Sequence, residues 1–169
     1  MNIEPPTETT AALGAAKPPP VTLLIVDDDD EIRESIRLVF ADAADTGSIP
    51  YTVLEASNGD EALTILRESV TPLVVLLDER MPGRSGEDLL REMLGDRRLR
   101  RRHAVILMSA VPHLSRRLRL QRLLQALSIE LLPKPFMLED LEQAVDRARQ
   151  RLESRRPAFS LSLSRRRRP

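Results

Sequence analysis

The stretch LVVLLDERMPGRSG, residues 73–86, decides how this chain is read. Leu73 to Leu77 are apolar at every position, so neither face of the segment is left for water. That is the pattern of a parallel strand covered on both sides. The run stops at Asp78. Four more short apolar runs flank this one, at Val21–Val26, Tyr51–Ala56, Ala104–Met108 and Ile129–Leu132. The segments between them carry helical spacing. Ile32, Ile36, Val39 and Phe40 form one stripe, Leu120, Leu123, Leu124 and Leu127 a second, and Leu141, Val145, Ala148 and Leu152 a third. Asn58-Gly59-Asp60 reads as a turn opening a helix, with Asn58 or Asp60 as its cap. Alternation of strand and helix predicts a parallel sheet with right-handed crossovers and helices on both faces.

Composition narrows the chemistry. The chain has 169 residues, no cysteine and two histidines, which excludes disulfides, thiolate metal sites and a cysteine nucleophile. No apolar run approaches the roughly 20 residues needed to span a bilayer, and the first 20 residues lack the features of a signal peptide, so a cytoplasmic location is expected. Residues 1–20 read as a disordered Pro/Ala-rich leader, 21–154 as the folded domain, and 155–169 as a basic disordered tail. Phe159, Leu161 and Leu163 alternate with serine in that tail. With its six arginines set aside, 20 basic residues face 26 acidic ones, a charge of about −6 on residues 1–154.

In a doubly wound sheet, ligands sit outside the carboxyl ends of the strands. Here the first strand ends in Asp27 and Asp28, the third in Asp78 and the fourth in Ser109, and Lys134 follows the fifth. Carboxylates from separate strands suit a hard divalent cation that keeps several waters. A carboxylate beside such a cation and a lysine is also a competent nucleophile toward phosphorus, because the positive charges offset repulsion of the incoming phosphoryl group. The remaining acids of the run DDDDE, Asp29, Asp30 and Glu31, belong to the start of the first helix, where unpaired N–H groups favour negative charge and Asp29 or Asp30 is the expected cap.

Four segments in order, LIVDDD, LLDERMPGRSG, MSA and KPF, resemble the response-regulator receiver domain of two-component signalling over about residues 21–153. The resemblance implies a flavodoxin-like fold with five parallel strands in the order 2-1-3-4-5 and five helices. It implies that Asp78 accepts a phosphoryl group from a histidine kinase or phosphotransfer protein. Asp27, Asp28, Asp78 and the backbone carbonyl of Arg80 would serve Mg2+, with Asp28 the direct ligand and Asp27 acting through water. Ser109 matches the switch hydroxyl, Lys134 the lysine that contacts the phosphoryl group, and Lys134-Pro135 a cis peptide. The protein would then be a stand-alone phosphoprotein signalling to a downstream protein target, with slow self-dephosphorylation and no other catalysis.

Two positions depart from the family pattern. Leu131 stands where the switch aromatic is expected, which removes the ring that follows the hydroxyl inward. Arg80, two residues past the acceptor, is a cation able to screen the phosphoryl group from water. Arg80 also argues against a haloacid-dehalogenase-type phosphatase, which needs an aspartate there as acid-base catalyst. A third reading, nucleic-acid binding through the four arginines 165–168 aided by the segment DRRLRRRH, has only a loose basic run behind it and no DNA-binding motif. His103, after that segment, is expected in a surface loop, and His113 near the start of the fourth helix is given no role.

Overall fold

The computed structural model describes residues 21–42, 50–110 and 118–155. Five strands, β1 (Val21–Val26), β2 (Tyr51–Ala56), β3 (Leu73–Asp78), β4 (Ala104–Ser109) and β5 (Glu130–Pro133), form one parallel sheet in the order β2-β1-β3-β4-β5. The helices are α1 (Asp30–Asp42), α2 (Gly59–Glu68), α3 (Gly86–Gly95), α4 (Arg97–Arg102), α5 (Leu118–Leu127) and α6 (Leu138–Arg155). The leader, residues 156–169 of the tail with the Phe159–Leu163 alternation, and His113 lie outside the described residues.

Successive side chains of a strand point to opposite faces, and the sheet sorts its core accordingly. Leu24, Val26, Leu73, Val75, Leu77, Val105 and Leu107 pack against α2, α3 and α5. Leu23, Ile25, Val74, Leu76, Ile106 and Met108 pack against Ile36 and Phe40 of α1 and the Leu141–Leu152 stripe of α6. Every residue of β3 and β4 is buried, as the unbroken apolar run of β3 requires. The expected helical stripes are therefore core-facing.

There are six helices among the described residues, not the five expected. The addition is α4, which is hard to see because Leu99 is its one apolar residue among five arginines. Asp96 creates it by ending α3 and capping α4 together. Its carboxylate accepts from the N–H groups of Arg98 at 2.8 Å and Leu99 at 3.2 Å, and Leu99 is buried beneath the turn. The other caps follow expectation. Asn58 accepts from Asp60 and Glu61 N–H at 3.1 and 2.9 Å. Asp29 accepts from Glu31 at 2.9 Å and Ile32 at 3.3 Å, which makes it the cap of α1.

His103 is not a surface residue; it is 2% exposed. Its Nδ1 accepts the Leu73 N–H at 3.2 Å, so Nε2 carries the proton and donates to the Leu66 carbonyl at 3.1 Å. One neutral ring thus ties the start of β3 to the last turns of α2, satisfying two backbone groups that the sheet and helix leave open. Burial pushes its pKa down to about 4, against the opposing pull of the Leu66 carbonyl.

The folded imidazole resists protonation, whereas the unfolded one titrates near 6.5. Its contribution to stability is complete above about pH 6.5 and is lost as the pH falls toward 4. Between pH 7 and pH 5, urea unfolding of the wild type should lose about 2 kcal/mol more than a His103→Gln variant, which has no ring to charge. Equal pH slopes for the two proteins would contradict this role.

Candidate functional site

The strand register brings the site together. Val26 pairs with Leu77, Asp78 with Met108, and Ser109 with Pro133. The ladder runs one residue past the strand ends through Glu79 N–H to the Met108 carbonyl at 3.0 Å and Lys134 N–H to the Ser109 carbonyl at 2.8 Å. Strand alternation then divides the polar groups. Asp27 continues the face of Leu23 and Ile25, Asp78 that of Val74 and Leu76, and Lys134 that of Leu132. Ser109 and Glu79 continue the opposite face, that of Leu107 and Leu77.

On the first face Lys134 Nζ donates to Asp27 Oδ2 at 2.9 Å and to Asp78 Oδ1 at 2.6 Å. Asp27 is 2% exposed and Asp78 8%. Each carboxylate also takes a backbone N–H: Asp29 on Asp27 Oδ1 at 3.1 Å, and Arg80 on Asp78 Oδ2 at 2.6 Å. Arg33 steadies the turn from beneath, its Nη1 donating to the Asp27 carbonyl at 2.7 Å. Burial pushes the Asp78 carboxyl above its usual range, against the hydrogen bond and charge of Lys134. Burial alone would lower Lys134, but its hydrogen bonds to Asp78 and Asp27 outweigh that and hold the ammonium above its ordinary value.

The structure therefore gathers Asp27, Asp78 and Lys134 in direct contact. Asp28 is exposed beside them, and Arg80 touches Asp78 through its backbone while its side chain is exposed. Ser109, 1% exposed, donates its hydroxyl to the Glu79 carboxylate on the other face. Glu79 is the residue that the sequence reading passed over. Its signal was strand parity, which separates it from Asp78 and aligns it with Ser109.

Among the described residues no three acidic or histidine side chains are drawn together tightly enough to cage a metal unaided. The donor set nevertheless suits Mg2+: the carboxylates of Asp27 and Asp78 share one ammonium, and Asp28, next to Asp27 in the chain, faces solvent, which leaves room for the waters this ion retains.

Gly86 acts by close approach. A Cβ there would lie 2.3 Å from the Asp78 carbonyl oxygen and 3.1 Å from Glu79 Cα. Its N–H donates to the Glu79 carbonyl at 3.1 Å, so α3 begins directly against the end of β3. The left-handed turn residue is Gly83, with φ of 73°. The Lys134-Pro135 bond is cis.

Residues 23–146 match the family model described as response regulator receiver domain. Among solved structures, the chain is similar to the chemotaxis protein CheY4 of Vibrio cholerae, with 21% identity, TM-score 0.62, and 77% of this chain and 99% of that one covered. It is similar to a CheY-like response regulator receiver domain protein of Methanospirillum hungatei JF-1, with 25% identity, TM-score 0.61, and 78% and 97% coverage. A two component transcriptional regulator AraC from Clostridium phytofermentans ISDg aligns at 24% identity and TM-score 0.64, with 80% and 97% coverage. No curated protein sequence matches the chain.

The Gly86 contact makes a direct prediction. Gly86→Ala should lower stability by about 1–3 kcal/mol in chemical denaturation, since the methyl group meets backbone that cannot turn aside. Gly95→Ala, where a Cβ meets nothing within 4 Å, should be neutral or slightly stabilising.

Proposed function

The chain belongs to the response regulator receiver domain family, and on that premise we propose that it accepts a phosphoryl group on Asp78 from a histidine kinase or phosphotransfer protein and signals as a stand-alone regulator. The observation that carries this reading is the Lys134 ammonium held between the buried carboxylates of Asp27 and Asp78. A single cation shared by two carboxylates is poised to follow charge to a third acceptor.

In the proposed reaction an Asp78 carboxylate oxygen attacks phosphorus, the P–N bond of the donor phosphohistidine breaks, and its electron pair returns to the imidazole. The product is an acyl phosphate. Lys134 turns from the carboxylates to the phosphoryl oxygens, and the Arg80 N–H holds the other Asp78 oxygen in place during attack. Mg2+, held by Asp27, Asp28, Asp78 and the Arg80 carbonyl, would supply charge neutralisation at the phosphoryl oxygens. Asp28 is the direct carboxylate ligand in this scheme and Asp27, already engaged by Lys134 and the Asp29 N–H, acts through water.

The partners follow from the same reading: a phosphohistidine donor and a downstream protein. A groove lined by Ile32, Ile36, Pro135 and Phe136, beside Lys134, offers an apolar surface next to the acceptor for the donor domain. Among the described residues no helix is long and apolar enough to cross a membrane, and a cytoplasmic location is part of the proposal. The phosphatase alternative gains nothing from the geometry, because Arg80 offers Asp78 an N–H and no acid. The arginine tail of the nucleic-acid alternative lies outside the described residues.

Incubation with acetyl phosphate and Mg2+, followed by intact mass, tests the proposal. One lasting phosphoryl group per chain is expected, absent in Asp78→Asn and after chelation; continuous hydrolysis without a phosphoprotein would instead indicate a phosphatase. Asp28→Ala should abolish Mg2+-dependent labelling. Asp30→Ala removes only an exposed pair with Arg33 and should cost less than about 1 kcal/mol of stability while labelling normally. Arg80→Ala should shorten the phosphoprotein lifetime several-fold, and an unchanged decay rate would remove the screening role of that side chain.

A further inference from the structure

We infer that Glu79 is the latch on the Ser109 switch: its carboxylate holds the serine hydroxyl until a phosphoryl group on Asp78 takes that hydrogen bond away. This rests on the phosphoryl-acceptor reading of Asp78 and names a positioning residue that acts on it through Ser109.

The geometry starts from strand parity. Asp78 and Lys134 belong to one face of the sheet edge, and Glu79 and Ser109 to the other. Glu79 follows Asp78 at the end of β3, and Ser109 follows Met108, the partner of Asp78 in β4. The two side chains therefore stand opposite one another on adjacent strands, and the Ser109 hydroxyl donates to Glu79 Oε2. Both residues are buried, Ser109 at 1% and Glu79 at 6% exposure.

A serine hydroxyl has one proton to donate. While Glu79 accepts it, none is available for a phosphoryl oxygen. The bond to a carboxylate is of the stronger, charge-assisted kind, so it competes directly with the contact that phosphorylation requires. Rotating the hydroxyl toward Asp78 moves it from one face of the edge to the other and leaves Glu79 without its serine donor.

Leu131 gives this exchange its consequence. It is partly buried on the same face as Ser109, among the residues packed against the α2–α3–α5 core. An aliphatic side chain there has no ring and no hydroxyl to report the movement. On that face the polar group coupled to Ser109 is Glu79, so the released carboxylate is what carries the change beyond the phosphorylation site.

The test is a double-mutant cycle on the full chain, with beryllofluoride and Mg2+ as the phosphoryl mimic and acetyl phosphate labelling of wild type and Asp78→Asn in parallel. Glu79→Gln keeps the shape and removes the charge, and it should bind the mimic about tenfold more tightly than wild type. Glu79→Ala should bind it at least as tightly, with thermal unfolding checking that both variants are folded. In the Ser109→Ala background the Glu79→Gln gain should disappear. A gain that persists without the serine hydroxyl would mean simple charge repulsion and would overturn the latch. Unchanged affinity in both Glu79 variants, with Asp78 still labelled in wild type, would overturn the latch alone. Absence of Asp78-dependent labelling would overturn the phosphoryl-acceptor reading and the latch with it.

Discussion

One ammonium group organises this site. Lys134 bridges Asp27 and Asp78 at 2.9 and 2.6 Å, and without it two buried carboxylates would face each other across the ends of β1 and β3. Burying unpaired charge is costly, whereas a charge that is paired and hydrogen-bonded can be tolerated. The remaining architecture can be read as what it takes to keep that ammonium in place. The β4–β5 register sets Lys134 N–H on the Ser109 carbonyl, and Gly86 lets α3 close against the end of β3.

Strand alternation then gives the edge two compartments. The α1–α6 side holds the carboxylates and the lysine; the α2–α3–α5 side holds Ser109, Glu79 and Leu131. In the proposed reading, a phosphoryl group on Asp78 draws the Ser109 hydroxyl across from the other side. In the proposed cycle, that crossing links a local charge change to the helices behind the sheet. The division needs no special loop, since it follows from the period of two in β3 and β4.

Much of this was visible in the residues. Unbroken apolar runs such as Leu73–Leu77 announce buried parallel strands, and polar residues at their ends mark the carboxyl edge. Other features depended on contacts that periodicity does not carry. His103 looked like a loop residue because it follows a run of arginines, yet it satisfies backbone groups at Leu66 and Leu73, far away in the chain. The helix α4 has too few apolar residues to show a stripe and is started by a cap that also ends α3. Glu79, next to Asp78 in the chain, carries no pattern of its own; its partner, Ser109, lies on the neighbouring strand.

The central claim is that Lys134 and the Asp27–Asp78 pair form a phosphoryl site in which the ammonium exchanges carboxylate for phosphoryl oxygen. A crystal structure of the chain with Mg2+ and beryllofluoride tests this most directly. The account predicts beryllofluoride on an Asp78 oxygen, Lys134 Nζ within hydrogen-bond distance of a fluoride, and the metal among the carboxylates. Beryllofluoride bound elsewhere, or seated on Asp78 with Lys134 still bridging both carboxylates, would contradict it.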